Sequence, residues 1–150
     1  MTSNCPYCGA AQDPGQNCSD RFAAAQLLEL ARPDYYAVHH LSVPCFMLQH
    51  NTYSQVGWTS TRELLRQFIV DRLTPAMARR RLRRLHGGSL TNRSYTRGPR
   101  LLGVEHIAWS MTIADVRLDT PETYCADVRA WASQVLKDTD EILRRLADTG

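Results

Sequence analysis

A CPYCG turn at residues 5–9 opens the sequence, and a third cysteine, Cys18, follows ten residues after Cys8. Two cysteines separated by two residues can direct both sulfurs at one point, as a tetrahedral thiolate metal site requires. Gly9 favours such a turn because it can adopt a positive φ and bring backbone N–H groups towards the Cys5 sulfur. The spacing therefore predicts an N-terminal metal knuckle, to which the rest of the fold must connect.

Length and composition limit the class of protein. The chain has 150 residues and a hydrophobic content of 43%, so we expect a single domain over residues 1–150 with one core. No apolar run approaches the ~20 residues of a membrane span, and residues 1–4 lack the features of a secretory signal. We therefore expect a cytoplasmic protein with no membrane partner. Five cysteines are an odd number for a disulfide framework, which also favours metal binding.

Positive charge is concentrated in one segment of the chain. The formal net charge is +3, yet residues 77–100 contain eight arginines and no acidic residue. Nucleic-acid binding through Arg79–Arg100 is therefore one alternative function, because arginine clusters neutralise phosphates. A solvated amphipathic helix, with Leu82 and Leu85 facing inwards, explains the same pattern without a ligand, and we favour that explanation.

Helix start and stop signals divide the chain into parts. In order they are a metal knuckle at 1–18, a helical hairpin at 19–50, helices at 60–86, a basic loop at 87–105 and a long C-terminal helix at 120–147. The predicted fold is an all-α bundle of about five helices, with one short strand considered near residues 107–113. We expect Ser19 or Asp20 to cap the first helix, and the second helix of the hairpin to run from Tyr35 to about Gln49. We also expect a capping box at residues 60–63. The apolar residues assigned to the first two helices are Phe22, Leu27, Leu28 and Leu30, then Val38, Leu41, Cys45 and Leu48.

Three cysteines leave one position of a tetrahedral site to fill. The candidates are His39, His40, Cys45, His50 and Cys125. If the hairpin turns near residues 32–34, facing residues have numbers that add up to about 66 to 68. Cys18 then faces His50, whereas His39 faces about Leu27, ~13 Å further along the first helix. We predict Cys5, Cys8, Cys18 and His50 as the metal ligands; His39 or Cys45 in place of His50 are the open alternatives.

The predicted ligand set suggests both the metal and its role. Three thiolates and one imidazole favour zinc, and iron in a rubredoxin-like knuckle is the alternative. A closed Cys3His site contributes folding energy, so the leading hypothesis is a small zinc-binding protein with a binding or adaptor role. Its partner is an unknown protein or small molecule, and dimerisation through the C-terminal helix is a further hypothesis. The competing chemistry is a redox switch, in which Cys5 and Cys8 form a disulfide and release the metal.

A second hypothesis is a metal-dependent enzyme that acts on a small anionic substrate. Its pocket would combine the acid–base candidates His39, His40, His106 and Tyr36 with Gln49 and the anion-binding candidates Arg97 and Arg100. Each residue also has a structural explanation: His39 as a buried, hydrogen-bonded histidine, Tyr36 as a core residue and the arginines as solvated loop residues. The enzyme hypothesis gains support if His50 is not a ligand, because the metal would then retain an open position.

Several short motifs, in this order, resemble an uncharacterised bacterial family known only as a domain of unknown function. They are the CPYCGA turn at 5–10, Cys18, YAVHHLSV at 36–43, LQH at 48–50, WSMTIADV at 109–116 and VRAWA at 128–132. The resemblance implies a Cys/His metal site and a helical fold, and it supplies no established activity. The chain differs from the family pattern in two places. Asn51 replaces a proline after the LQH triplet, and the arginine cluster is not part of the pattern.

Overall fold

The computed structural model describes residues 3–86 and 96–149, and within these ranges the chain is mostly helical. The α-helices are α1 (Cys18–Ala31), α2 (Pro33–Tyr36), α3 (His39–Gln49), α4 (Gln55–Ile69), α5 (Pro75–His86) and α6 (Pro121–Thr149). Two short strands, β1 (Ser3–Asn4) and β2 (Ala11–Gln12), pair in an antiparallel manner around the cysteine turn. The predicted all-α bundle with an N-terminal knuckle is confirmed.

Local hydrogen bonds set the helix starts, and they correct three predictions. Asn17, rather than Ser19 or Asp20, caps α1, because its side chain accepts the N–H of Asp20 at 2.8 Å. Ser54 caps α4, so that helix begins five residues before the predicted capping box at 60–63, which is wrong. The second arm of the hairpin is also divided into two helices, where one helix from Tyr35 was predicted, because a turn at residues 37–38 separates α2 from α3.

The hairpin register agrees with the prediction. Three side-chain contacts between α1 and α3 join residues whose numbers add up to 68: Phe22 stacks on Phe46, Gln26 donates to Ser42, and Glu29 bonds His39. The upper end of the predicted range is therefore the one observed. Two apolar assignments in α1 are wrong, since Leu27 and Leu30 are 70% and 73% exposed. Polar Gln26 and Glu29 take the inward positions instead.

The centre of the fold is a tryptophan core, which we define as Leu48, Gln49, Trp58, Leu65, Trp131 and Val135; each of these residues is fully buried. The two indoles also make hydrogen bonds. Trp58 Nε1 donates to the carbonyl of Leu48 at 3.0 Å, and Trp131 Nε1 donates to Gln49 Oε1 at 3.2 Å. Gln49 is thus a core residue that joins α3 to α6, and it does not line a pocket with His39.

Two 3₁₀ helices, Val104–His106 and Ile113–Asp115, replace the strand considered near residues 107–113. In this part of the chain Thr112 and Asp115 form a capping box, in which their side chains accept hydrogen bonds from backbone N–H groups. These N–H groups are therefore not available to pair with a neighbouring strand. Part of the predicted basic loop, residues 87–95, lies outside the described residues. Among the helices that the structure describes, none is long and apolar enough to cross a bilayer.

Candidate metal centre

The four predicted ligands come from three separate places in the fold. Cys5 and Cys8 lie in the turn between β1 and β2, Cys18 is the first residue of α1, and His50 directly follows α3. One ligand atom from each residue lies within 4.8 Å of all the others, and the Cys8 and Cys18 sulfurs are 3.5 Å apart. A tetrahedral ion with bonds of about 2.3 Å separates its ligand atoms by ~3.8 Å. The arrangement is therefore one that can hold a metal ion.

The cysteine turn is fixed by its own backbone. Gly9 has a φ of 78°, and its N–H donates to the Cys5 carbonyl at 2.9 Å, while the Cys5 N–H donates to Ala10 at 2.8 Å. A residue with a side chain rarely adopts such a φ, which explains the glycine. The three thiols are buried at exposures of 4–6%. The turn therefore holds two sulfurs on its inner side, next to Cys18.

His50 offers the cluster a nitrogen with no other partner. Its Nδ1 is 2.8 Å from the Phe46 carbonyl and donates to it, which leaves the lone pair on Nε2. Among the described residues this buried Nε2 has no hydrogen-bond partner. The imidazole also stacks on Phe46 with ring centroids 4.0 Å apart, and Phe46 stacks on Phe22. A backbone carbonyl that holds the tautomer and a fixed ring plane are typical of metal-binding histidines.

The electrostatics of the four groups differ. Burial raises the pKa of Cys8 and of Cys18. Burial also acts to raise the pKa of Cys5, but backbone hydrogen bonds from Cys8 and Tyr7 outweigh it and leave the pKa lowered. Burial lowers the pKa of His50, which favours its neutral form. A cation would reverse the effect of burial on the thiols, because thiolates and neutral imidazole are the forms that bind metal.

The turn after His50 has a backbone conformation that explains why asparagine stands where the family pattern has proline. Asn51 has a φ of 49°, which asparagine tolerates and the ring of proline forbids. Its side-chain amide donates to the Leu101 carbonyl at 3.1 Å. The substitution therefore fits the conformation, and the amide connects the end of α3 to the segment after residue 96.

An open cavity of about 520 Å³ adjoins the cluster. Cys5, Cys18 and His50 line it, together with Arg100 at its exposed side. Arg100 donates to the Thr96 carbonyl at 3.0 Å. This anion-binding candidate thus lies beside the cysteine cluster. Arg97, the other candidate, is exposed, and nothing described connects it to His39.

The predicted acid–base residues do not form one pocket. His39 Nδ1 lies 2.7 Å from Glu29 Oε1, and its ring stacks on Tyr36 with centroids 4.7 Å apart. Tyr36 is 47% exposed, so its assignment as a core residue is wrong. The sequence analysis missed Glu29. The one feature that could have indicated it is the hairpin register, in which residues 29 and 39 add up to 68 and so face each other, on a side of the helix that was expected to be apolar.

His40 and His106 lie apart from that pair. The His40 ring packs edge-on against Phe68, and burial lowers its pKa, with Arg129 as the next cause. The side chain of His106 is 82% exposed, and it lines a cavity beside Lys137. Lys137 is about 20 Å along α6 from Tyr124, which contacts Glu29. The structure therefore separates His106 from His39.

The remaining cysteines are outside the cluster. Cys45 is fully buried with its apolar neighbours, and burial raises its pKa well above the usual range. The Cys125 thiol lies 3.3 Å from the Asp34 carbonyl.

The basic segment is exposed where the structure describes it. Four of its arginines lie exposed on α5: Arg79, Arg80, Arg81 and Arg83. Both the nucleic-acid hypothesis and the solvated-helix explanation require this exposure.

Comparison with known proteins identifies the family. The sequence model of a family of unknown function (DUF5946) matches residues 3–140, so the chain belongs to that family. Neither the curated proteins nor the solved structures gave a significant match. The family assignment agrees with the predicted resemblance, and it covers both the cysteine turn and most of α6.

Proposed function

We propose that this protein binds one zinc ion through Cys5, Cys8, Cys18 and His50, and that the ion has a structural role. The observation that carries the proposal is the meeting of three thiols and an imidazole nitrogen of His50 within 4.8 Å, together with a buried His50 Nε2 that has no hydrogen-bond partner among the described residues. Zinc is the metal best suited to three sulfur ligands and one nitrogen ligand in a tetrahedron. Four protein ligands complete the coordination, so the ion stabilises the fold.

The position of the site explains why such an ion is useful. The N-terminal loop, residues 3–17, has two paired strands of two residues each and one isolated bridge between Asp13 and Gln16. The ion would connect this loop to the first residue of α1 and to the end of α3, closing the open end of the hairpin. We infer that the closed unit acts as a binding or adaptor protein in the cytoplasm, where reducing conditions keep thiols available to the metal.

Metal analysis of the purified protein tests the ligand set. We expect one zinc per chain in the wild type, and a loss of zinc in Cys18→Ser and in His50→Ala. Cys125→Ser is the matched control, because it removes a buried thiol that lies outside the cluster. Zinc retained by Cys18→Ser, or lost by Cys125→Ser, would show that the ligand set is wrong.

X-ray absorption at the metal edge tests the structural role. Three sulfur ligands and one nitrogen ligand at bond lengths of about 2.3 and 2.0 Å are expected for a closed zinc site. A spectrum without the multiple scattering of a bound imidazole ring would instead indicate an open position, and the metal-dependent enzyme hypothesis would then replace the structural one. An iron edge in protein from metal-balanced medium would contradict zinc.

A further inference from the structure

The buried carboxylate of Glu29 is the centre of a polar network that the zinc proposal does not use. Its side chain is fully buried, and each carboxylate oxygen has two neighbours. Oε1 accepts from Gln26 Nε2 at 3.1 Å and faces His39 Nδ1 at 2.7 Å, while Oε2 accepts from Ser42 Oγ at 2.7 Å and from the Tyr124 hydroxyl. An ionised carboxylate is acceptor-only, so these four donors match its charged form.

One member of this network reaches the surface with a basic atom. The His39 side chain is 34% exposed, whereas that of Glu29 is not exposed at all. Because the Nδ1 hydrogen faces Glu29, neutral His39 carries its lone pair on Nε2, at the other side of the ring. Among the described residues, no hydrogen bond engages Nε2. The half-exposed ring of Tyr36 stacks on His39 and limits the tilt of the imidazole.

The network is separate from the metal centre. Glu29 lies eleven residues after Cys18 in α1, which corresponds to about 16 Å. The two sites occupy opposite ends of the α1–α3 hairpin, and neither shares a residue with the other. A function of the Glu29 network therefore does not depend on the identity of the metal.

We propose that Glu29 and His39 form a second functional site, in which Glu29 positions His39 as a nucleophile towards the carbonyl carbon of a small ester or anhydride. A carboxylate that accepts the Nδ1 hydrogen holds the tautomer and the orientation of the ring, as in hydrolase triads and in metal-binding histidines. Tyr36 provides a flat exposed surface beside the nucleophile for an apolar part of the ligand. His39 is the residue that contacts the ligand, and Glu29 is the positioning residue.

The chemical step balances without any oxidant or reductant. The Nε2 lone pair forms a bond to the carbonyl carbon, and the bond from that carbon to the leaving oxygen breaks. The Nδ1 hydrogen stays bonded to Glu29, whose negative charge stabilises the acyl-imidazolium, and the leaving oxyanion takes a proton from water. The hydroxide formed in this way attacks the acyl carbon, so that a carboxylic acid is released and the neutral ring is regenerated.

Diethyl pyrocarbonate, an anhydride that acylates neutral imidazole, tests the proposal on the zinc-loaded protein. Peptide mass spectrometry measures the modification rate of each histidine, and His106 is the internal reference because its side chain is 82% exposed against 34% for His39. Exposure alone predicts that His106 reacts faster. We expect His39 to react faster, and a slower rate at His39 than at His106 would overturn the proposal without any variant.

Two variants then test the positioning role. In Glu29→Gln one acceptor oxygen is lost, so we expect His39 to react about tenfold more slowly. Nitrogen-15 shifts of His39 should at the same time show loss of the fixed Nδ1–H tautomer. Ser42→Ala is the matched control: it removes a donor to Oε2 and leaves the 2.7 Å contact between Glu29 and His39. An unchanged rate and tautomer in a folded Glu29→Gln would overturn the role of Glu29.

Discussion

The N-terminal loop and the tryptophan core differ in what holds their side chains in place. In the loop, the buried residues are Cys5, Cys8 and Ala10, and two short strands supply little further contact. In the core, large side chains from α3, α4 and α6 are fully buried, and their polar atoms bond to one another. A segment with so little apolar surface cannot offset its conformational entropy by burial alone. The proposed metal would therefore hold the loop in place, whereas the core is held by its packing.

Removal of the metal should have the largest effect, and it should separate the two regions. Structural zinc contributes on the order of 10 kcal/mol in finger peptides, and the loop has no comparable source of stability. Chelation should make the amides of residues 3–17 exchange rapidly, while those of α4 and α6 around Trp58 and Trp131 stay protected. Hydrogen exchange by mass spectrometry measures both.

Equal exchange in the two regions would contradict this comparison, because it would mean that the whole fold depends on the ion. Re-addition of zinc is the control, and it should restore protection in the loop.

Truncation of a core indole should have the next largest effect. Trp131→Ala removes a fully buried side chain and the donor to Gln49, so we expect a loss of about 3 to 5 kcal/mol in the free energy of unfolding. Denaturant unfolding measures it, with Leu102→Ala as the control, since Leu102 is 85% exposed. The variant should still bind zinc at low temperature; loss of zinc from a folded Trp131→Ala would show that the regions are coupled.

The buried Arg62 should contribute less than the indole. Its guanidinium donates to Thr139 Oγ1 at 3.1 Å, to the Leu136 carbonyl at 2.9 Å and to Asp140 at 2.6 Å, which connects α4 to α6. Arg62→Met keeps much of the volume and removes these three hydrogen bonds, so we expect a loss of about 2 kcal/mol in the free energy of unfolding. Thermal unfolding measures it. Arg66→Met, on the exposed side of α4, is the control and should change the melting temperature much less.

A pH-dependent ion pair at the start of α6 should have the smallest effect. Arg117 bonds both carboxylate oxygens of Asp127 at 3.0 and 3.1 Å, and these hydrogen bonds lower the pKa of Asp127. A lowered folded-state pKa stabilises the protein above the ordinary aspartate value of about 3.9, and the gain is lost as the pH falls through the folded value. Asp127→Asn should therefore cost no more than about 1 kcal/mol at pH 7.

Denaturant unfolding of Asp127→Asn and of the wild type over a range of pH measures how much the Arg117–Asp127 ion pair contributes to the free energy of unfolding. The difference between the two proteins should shrink as the pH falls below about 4. If the difference in unfolding free energy between the two proteins grew as the pH fell, the pKa of Asp127 could not be lowered in the folded protein, and the prediction would be wrong.

The helical fold could be predicted because its signals are local. Caps, prolines and apolar spacing mark the helices, and the start of α6 at Pro121 follows the predicted signal closely. The errors have physical causes. Ser54 is the cap in place of Ser60: its Oγ accepts the Gly57 N–H at 3.1 Å, and Ser60 lies inside the helix. Leu27 and Leu30 are exposed because the inward positions of α1 hold Gln26 and Glu29, which bond to Ser42 and His39 of α3.

The sequence by itself determined the cysteine turn, the helical class and the facing register that brings His50 to Cys18, because these depend on spacing along one or two neighbouring segments. Only the tertiary structure decided that Glu29 is buried opposite His39, because three of its four donors lie outside its own helix and one, Tyr124, is 95 residues away. Sequence spacing can place two helices side by side. A buried charge is stable only where the whole fold gathers its partners.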